Sequence, residues 1–226
     1  MNPKERAAEH GARLVESGMV LGLGSGSTAA LMVQAIGRRL RQGDLCNVVG
    51  VPTSSAIAAV AREAGVPLAT LDQHPALDLD LDGADEVDPD LNLIKGLGGA
   101  LLWEKIVATA SRRLVILADA SKLVARLGAK APLPVEVVPF GWKSQVGFLE
   151  GLGGKPLLRK SAAGGPYLTD EGNYILDARF DTIPNPRELE VRLLTRAGIV
   201  GTGLFLGMAE QVIVGREDGV EIRRRP

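Results

Sequence analysis

Four short apolar runs in this chain each end on a polar loop rich in glycine, aspartate or lysine. Residues 19–23 run into Gly24-Ser-Gly-Ser-Thr28, and residues 77–81 into Asp82-Gly-Ala-Asp85. Residues 91–95 end on Lys95 and run into Gly96-Leu-Gly-Gly99, and residues 114–118 run into Asp119-Ala-Ser-Lys122. Helical spacing occupies about 27–41, 55–64 (stopped by Gly65) and about 99–112. Apolar strands that alternate with helices predict a mainly parallel sheet covered on both faces, because only such a sheet buries both sides of its strands.

The expected fold is therefore α/β, with a Rossmann-like sheet as its main part. A first helix, with Asn2 as cap and Pro3 in the first turn, precedes the first strand, and further strands are expected at 47–51 and 68–71. The pattern changes after about residue 129. A strand at 135–138, a helix at about 142–149, a hairpin turning through 169–173, a helix from Asn185-Pro186 and a following strand predict a small α+β, ferredoxin-like domain. A closing hairpin, 211–215 and 220–224 around Asp218-Gly219, is expected to rejoin the first sheet. The expected division is 1–129 with 204–226 for the Rossmann-like catalytic domain, and 130–203 for the small domain.

Composition narrows the function classes. Apolar residues make up 46% of the 226 positions but aromatics only 4%, so the core is built from Val, Ile, Leu and Ala. The net charge of −1, with both signs interspersed, argues against a nucleic-acid partner, which needs a basic face. The single cysteine, Cys46, excludes an internal disulfide and fits a reducing compartment, the cytoplasm. No apolar run approaches the ~20 residues of a membrane span.

The loops carry the chemistry. Gly24-Ser-Gly-Ser-Thr-Ala29 fits the loose dinucleotide fingerprint, but the second strand ends Val51-Pro-Thr-Ser54, without the carboxylate that would hold a ribose hydroxyl. A smaller anion suits the turn better: glycines admit close backbone approach, helix-start amides point outward, and Ser25, Ser27 and Thr28 add hydroxyl donors. An ordinary capped tight turn explains this loop equally well. Residues 78–90 imitate a calcium loop at Asp78, Asp80, Asp82 and Gly83. Pro89 stands where the closing bidentate Glu belongs, so calcium is rejected. The alternation of Leu77, Leu79 and Leu81 reads instead as a strand that leaves Asp82 at its carboxyl end, with Asp85 just beyond and Asp88 and Asp90 solvated. Lys95, the amides of Gly96, Gly98 and Gly99, and Glu104 supply a cation, a second anion cradle and a carboxylate, the groups that proton abstraction beside a carbonyl requires. Singly, a surface lysine and a dipole-matching glutamate are the simpler readings; several such loops at successive strand ends favour a site. Lys122 is a second candidate phosphate contact, and Asp119 is a cap or an orienter of that lysine.

Taken in order, Gly24-Ser-Gly-Ser-Thr28, Asp82-Gly-Ala-Asp85, Lys95-Gly-Leu-Gly98 with Glu104, and Asp119-Ala-Ser-Lys122 resemble the type A ribose-5-phosphate isomerase family. Pro132-Leu-Pro-Val-Glu-Val-Val138 and the Gly203-Leu-Phe segment extend the resemblance over nearly the whole chain. It implies interconversion of D-ribose 5-phosphate and D-ribulose 5-phosphate through an enediolate, a step of the non-oxidative pentose phosphate pathway, without metal or organic cofactor. By the same resemblance Glu104 is the base, and Asp82, Asp85 and Lys95 hold the reacting end, with Gly83, Ala84, Gly96, Leu97 and Gly98 around it. Ser25, Gly26, Ser27, Thr28, Lys122 and Lys4 hold the substrate, mainly at its phosphate. Family members are usually homodimers, sometimes tetramers. Leu97 in place of a common glycine, Ser25 in place of a frequent Thr, and a bulky Trp103 beside the base depart from the pattern and bear on loop shape.

Two other classes compete. A sugar-phosphate sensor of a transcriptional regulator would carry a DNA-binding module ahead of this domain, and only about one helix precedes the first strand. An amino-sugar phosphate deaminase, or a metal-dependent isomerase, wants histidines near the site, and His10 and His74 fall in none of the loops. A CoA transferase on a related scaffold is the remaining enzymatic alternative.

Overall fold

The computed structural model describes residues 1–225. In chain order the helices are α1 (Pro3–Ala12), α2 (Ser27–Gln42), α3 (Ser55–Ala64), α4 (Leu101–Ala110), α5 (Lys143–Gly151) and α6 (Pro186–Leu194). The strands are β1 (Val20–Leu23), β2 (Val49–Pro52), β3 (Leu79–Gly83), β4 (Glu86–Val87), β5 (Leu93–Ile94), β6 (Leu114–Asp119) and β7 (Leu133–Val137). They continue with β8 (Lys155–Leu158), β9 (Tyr174–Arg179), β10 (Ile199–Thr202), β11 (Leu204–Phe205), β12 (Ala209–Gly215) and β13 (Val220–Arg224). Two compact units divide these elements. One holds Met1–Ala84, Trp103–Leu123 and the stretch from Gly207 on; the other holds Asp85–Leu102 and Val124–Leu206.

The first unit is a six-stranded sheet in the order β13-β12-β6-β3-β1-β2, parallel except for the β12–β13 hairpin. Helix α1 starts where its sequence says it should. The Asn2 side chain accepts from the Glu5 amide, and the Glu5 carboxylate accepts from the Asn2 amide, a reciprocal capping box. Strand alternation then sorts the side chains. Leu21, Leu23, Leu79, Leu81, Val115 and Leu117 join α1 and α2 residues in one apolar cluster, each buried leucine contributing about 1.5–3 kcal/mol relative to exposure. The opposite face of β3 carries Asp80 and Asp82, both fully buried. Their room comes from β1, where Gly22 is in register with Asp80. A Cβ on Gly22 would stand 2.6 Å from Asp80 Oδ1 and 2.6 Å from Val107 Cγ1 of α4. A Cβ on Gly24 would collide with the Asp82 carboxyl and its Cα.

The strand order also locates the crevice. From β1 the chain passes through α2 to β2 on one side, then through α3 to β3 on the other. This reversal leaves the carboxyl ends of β1 and β3 unroofed by their own connections, which is where open α/β sheets bind ligands.

The second unit contains a four-stranded antiparallel sheet, β10-β7-β9-β8, and a three-stranded one, β11-β5-β4. The order of strands and of helices α5 and α6 along the chain is the ferredoxin-like pattern expected from the sequence. Its apolar cluster includes Leu133, Val135, Val137, Leu149, Leu176 and Leu193. Two buried glutamates hold loops in this unit. Glu86 accepts from the amides of Gly128 (2.6 Å), Lys130 (2.5 Å) and Ala131 (2.6 Å), tying the 128–131 loop to β4. Glu136 Oε1 accepts from Thr169 Oγ1 (2.9 Å) and Asn173 Nδ2 (3.1 Å), anchoring the 169–173 turn on β7.

Three expectations need correction. Residues 68–71 form no strand; Leu68 makes a single bridge to Gly50, and Thr70 and Gln73 close a turn there. The run at 91–95 does not join the parallel sheet. Leu91 sits at φ 58°, so pairing starts only at Leu93, and β5 pairs antiparallel with β4 and β11. Asp88 is buried, not solvated: its carboxylate takes the amides of Asp90 and Asn92 and the Asn92 side chain, and so shapes that turn. Asp90 is exposed as expected.

Two stability predictions follow from these buried acids. Gly24→Ala forces β1 and β3 apart, and overpacking of this kind costs about 1–3 kcal/mol; a lowered midpoint in thermal melts is expected. For Glu136, burial raises the carboxyl above the ordinary carboxylate range despite the Asn173 and Thr169 donors, and the Glu171 charge adds to it. The folded state thus holds this proton more tightly than the unfolded chain does. Its contribution to stability is present at low pH and is lost as pH rises from the ordinary carboxylate range through the raised value. Melts of Glu136→Gln across the acid-to-neutral range should show less loss with rising pH than the parent protein.

Candidate active site

In the first unit the glycine loop after β1 is organised by Asp82. Its Oδ1 accepts the Ser25 amide (3.0 Å) and the Gly83 amide (2.6 Å), while the Gly24 amide donates to Leu81 O (3.0 Å). The Ser25 hydroxyl lies 2.8 Å from Thr53 Oγ1 and 2.7 Å from Ser54 Oγ, at the turn after β2. Ser54 also caps α3 through the Ile57 amide, and Thr53 Oγ1 donates to Leu23 O (2.9 Å). Three strand ends are therefore joined through one serine and one aspartate.

The loop leaves the start of α2 open. Gly26 is the cap residue at φ 95°, a conformation that favours glycine, and no side chain caps the helix. The first amides of this long helix, Ser27–Gln42, consequently face outward with the positive end of its dipole. Ser27 is exposed beside them, Thr28 is half-buried, and Lys4 Nζ of α1 donates to Ser27 Oγ (3.2 Å). At the end of β6, Asp119 accepts from the amide (2.9 Å) and hydroxyl of Ser121. Burial alone would raise the Asp119 carboxyl, but those donors and the Lys122 and Lys4 charges together bring it below the ordinary range. Lys4, Asp119, Ser121 and Arg216 are among the residues lining a cavity of about 400 Å³ in this unit.

Helix α4 fixes where Glu104 lies in the first unit. The Leu77 amide donates to Ala110 O and the Arg112 amide to Leu77 O, so the end of α4 meets the start of β3. One turn back, Val107 packs over Gly22 and Asp80. The helix thus runs antiparallel to β3, and Glu104, a further turn back on the same face, comes to the strand end that carries Asp82. Glu104 is buried there.

In the second unit, Asp85 and Lys95 flank the β4–β5 pair: the Asp85 amide donates to Ile94 O (2.8 Å) and the Lys95 amide to Gly203 O (2.9 Å). Lys95 is buried, with Nζ 5.4 Å from the centre of the Phe205 ring. Of the amides expected to form a cradle, that of Gly99 instead closes the turn onto Gly96 O (3.0 Å), while the intervening Leu97 amide donates to Asp85 Oδ2 (2.9 Å). Gly98 stands between them.

The sequence-derived residues thus fall into two groups. Lys4, Ser25–Thr28, Asp82, Gly83, Glu104 and Lys122 belong to the first unit, and Asp85, Lys95, Gly96, Leu97 and Gly98 to the second; Ala84 ends the first just before Asp85. Thr53 and Ser54 were missed, although their place at the end of the second strand signalled the same sheet edge. His74 donates its amide to Thr70 O (3.0 Å) and His10 O accepts the Arg13 amide (3.2 Å); among the described residues no three His, Cys, Asp or Glu are grouped as metal ligands. Also among the described residues, no helix is long and apolar enough to cross a membrane.

Known proteins bear on this arrangement. A family model described as Ribose 5-phosphate isomerase A (phosphoriboisomerase A) matches residues 49–219. A relative named Ribose-5-phosphate isomerase A, from Roseiflexus sp., is 54% identical over 217 residues, spanning 96% of this chain and 93% of its own. A solved D-ribose-5-phosphate isomerase in complex with phospho-erythronic acid superposes with a TM-score of 0.96 at 42% identity, covering 98% of this chain and 97% of that one. Ribose 5-phosphate isomerase A from Methanocaldococcus jannaschii does so with a TM-score of 0.94 at 40% identity, with the same coverage. Half the positions agree over nearly the full length, and the backbone follows the same path throughout: this chain belongs to the ribose 5-phosphate isomerase A family.

Proposed function

We propose that the chain interconverts D-ribose 5-phosphate and D-ribulose 5-phosphate through an enediolate, as a step of the non-oxidative pentose phosphate pathway. The observation that carries this reading is the course of α4 against β3, with buried Glu104 at the strand end where Asp82 orders the uncapped glycine loop. A buried carboxylate beside an anion-binding helix start suits removal of a carbon-bound proton from a phosphorylated sugar better than it suits binding alone. That the relative solved with phospho-erythronic acid holds a phosphorylated sugar acid supports the same substrate class.

In this reading Glu104 takes the C2 proton of the open-chain aldose and returns it to C1. The C2 hydroxyl gives up its proton as the ketone forms, and the former aldehyde oxygen gains one, so that two hydrogens move from C2 and its oxygen to C1 and its oxygen. Lys95, Asp85 and Asp82 bind the reacting oxygens, with Gly83, Ala84, Gly96, Leu97 and Gly98 around them; Lys95 supplies the positive charge that the enediolate oxygen needs. Ser25, Gly26, Ser27, Thr28, Lys122 and Lys4 hold the phosphate. The chemistry calls for no metal and no organic cofactor. A homodimer in the cytoplasm completes the proposal: Phe140, 94% exposed, and Leu157 on the edge strand β8, 75% exposed, are apolar surface that a second copy would cover, and a monomer mass in sedimentation would oppose this part.

Incubation with ribose 5-phosphate in deuterated water tests the reaction, with ribulose 5-phosphate formation and deuterium at the exchanging carbon read by NMR. Absence of both would refute the activity. Glu104→Gln should lower kcat by roughly 10²-fold or more with KM little changed, whereas Lys122→Ala should chiefly raise KM. Near-normal turnover in the first variant would move the base to Asp82 or Asp85.

A further inference from the structure

The glycine turn after β5 has a partner from the four-stranded sheet of the same unit. Arg159, just beyond β8, is largely buried, its side chain only 13% exposed. Its Nε and Nη2 form a bidentate pair with Asp177 of β9, at 2.9 and 2.5 Å. The remaining nitrogen, Nη1, donates to two successive carbonyls, Gly96 O and Leu97 O, each at 3.0 Å. Tyr167 completes the clamp. Its ring lies 5.8 Å from the guanidinium carbon, and a Cβ on Gly99 would collide with its hydroxyl.

A peptide group is planar and trans, so the direction of a carbonyl dictates the direction of the next N–H. With Gly96 O and Leu97 O turned onto the guanidinium, the amides of Leu97 and Gly98 point to the other side. The first of these meets Asp85 Oδ2 at 2.9 Å. A turn with three glycines has little preference of its own for this orientation, since glycine gives up more backbone freedom on ordering than any other residue. Something outside the turn has to hold it, and the bidentate pair with Asp177 keeps the guanidinium still enough to do so.

We infer that Arg159 is a positioning residue of the isomerase: it touches no reacting atom, but orients the Leu97 and Gly98 amides and, through the Leu97 amide, the Asp85 carboxylate. The inference rests on the function proposed above, in which this turn attends the enediolate. It separates the demands on the two ends of the substrate, because the phosphate contacts Ser27, Lys4 and Lys122 belong to the other unit.

The test uses Arg159→Lys, which keeps the charge and loses the fork, and the double variant Arg159→Gln/Asp177→Asn, which leaves no buried charge unpaired. The parent enzyme is first assayed with ribose 5-phosphate; if it does not turn over, the proposed function fails and not this inference. In an active background, both variants should lose about tenfold to a hundredfold in kcat, with KM within about twofold, because small misplacements of a catalytic group carry losses of that order. Inhibition by phospho-erythronic acid should weaken about tenfold, whereas inhibition by inorganic phosphate should not change. Unaltered kcat in either folded variant would overturn the inference, as would equal weakening of both inhibitors. Should neither variant fold, exchange of the Leu97 amide, which donates to Asp85 Oδ2, decides in the parent enzyme: protection no greater than that of the amide of exposed Gly165 would mean that the clamp does not order the turn.

Discussion

The contact on which most of the first unit's functional edge depends is a carboxylate pressed against a backbone. Asp82 Oδ1 takes the amides of Ser25 and Gly83, and it fits there because Gly24, the residue after β1, has no side chain. A charged acceptor with two amide donors is a strong pairing, and in a buried setting it is also an obligatory one. Everything near it inherits its position from that pairing. Ser25 is aimed at Thr53 and Ser54, the loop reaches Gly26 with a left-handed turn, and α2 starts without a side-chain cap. An aspartate at this place is therefore as much a part of the anion loop's architecture as of any chemistry performed beside it.

The sheet face bearing Asp82 is unusual in being polar and buried. A parallel strand covered on both sides normally reads apolar throughout, whereas β3 alternates leucine with aspartate. The glycines of β1 compensate, since Gly22 opposite Asp80 leaves space that α4 closes through Val107. The second unit meets the same difficulty in another way. Glu86 and Glu136 are buried acids whose oxygens hold loops, the first through three backbone amides and the second through Thr169 and Asn173. Buried polar groups have to be matched by donors, and here the matching supplies loop geometry that glycine-rich segments lack by themselves.

Much of this was legible in advance where a signal is local. The cap at Asn2 with Pro3 in the first turn, the stop of α3 at Gly65, the ferredoxin-like order after residue 129 and the return of the last hairpin to the first sheet all rest on short-range patterns, and each is present. The pattern misled where an apolar run was too short to be told from a loop. Residues 68–71 look like a strand, yet side-chain bonds between Thr70 and Gln73 turn the chain away after a single bridge. Asp88 looked solvated because charge runs usually are, but its carboxylate captures the amides of its own turn.

The sequence by itself determined the chemical inventory and its order: which loops carry glycine, which strand ends carry acid or lysine, and hence the family to which the chain belongs. These are properties of neighbours along the chain, and period and composition report them directly. Only the tertiary structure decided which strands lie side by side, so that Gly24 faces Asp82, and which way α4 runs over them. It also decided that Arg159, more than sixty residues beyond the glycine turn, is what holds that turn's carbonyls. Such pairings join positions far apart in the chain, and no local propensity encodes them; they follow from strand order and from the need of every buried charge for a partner.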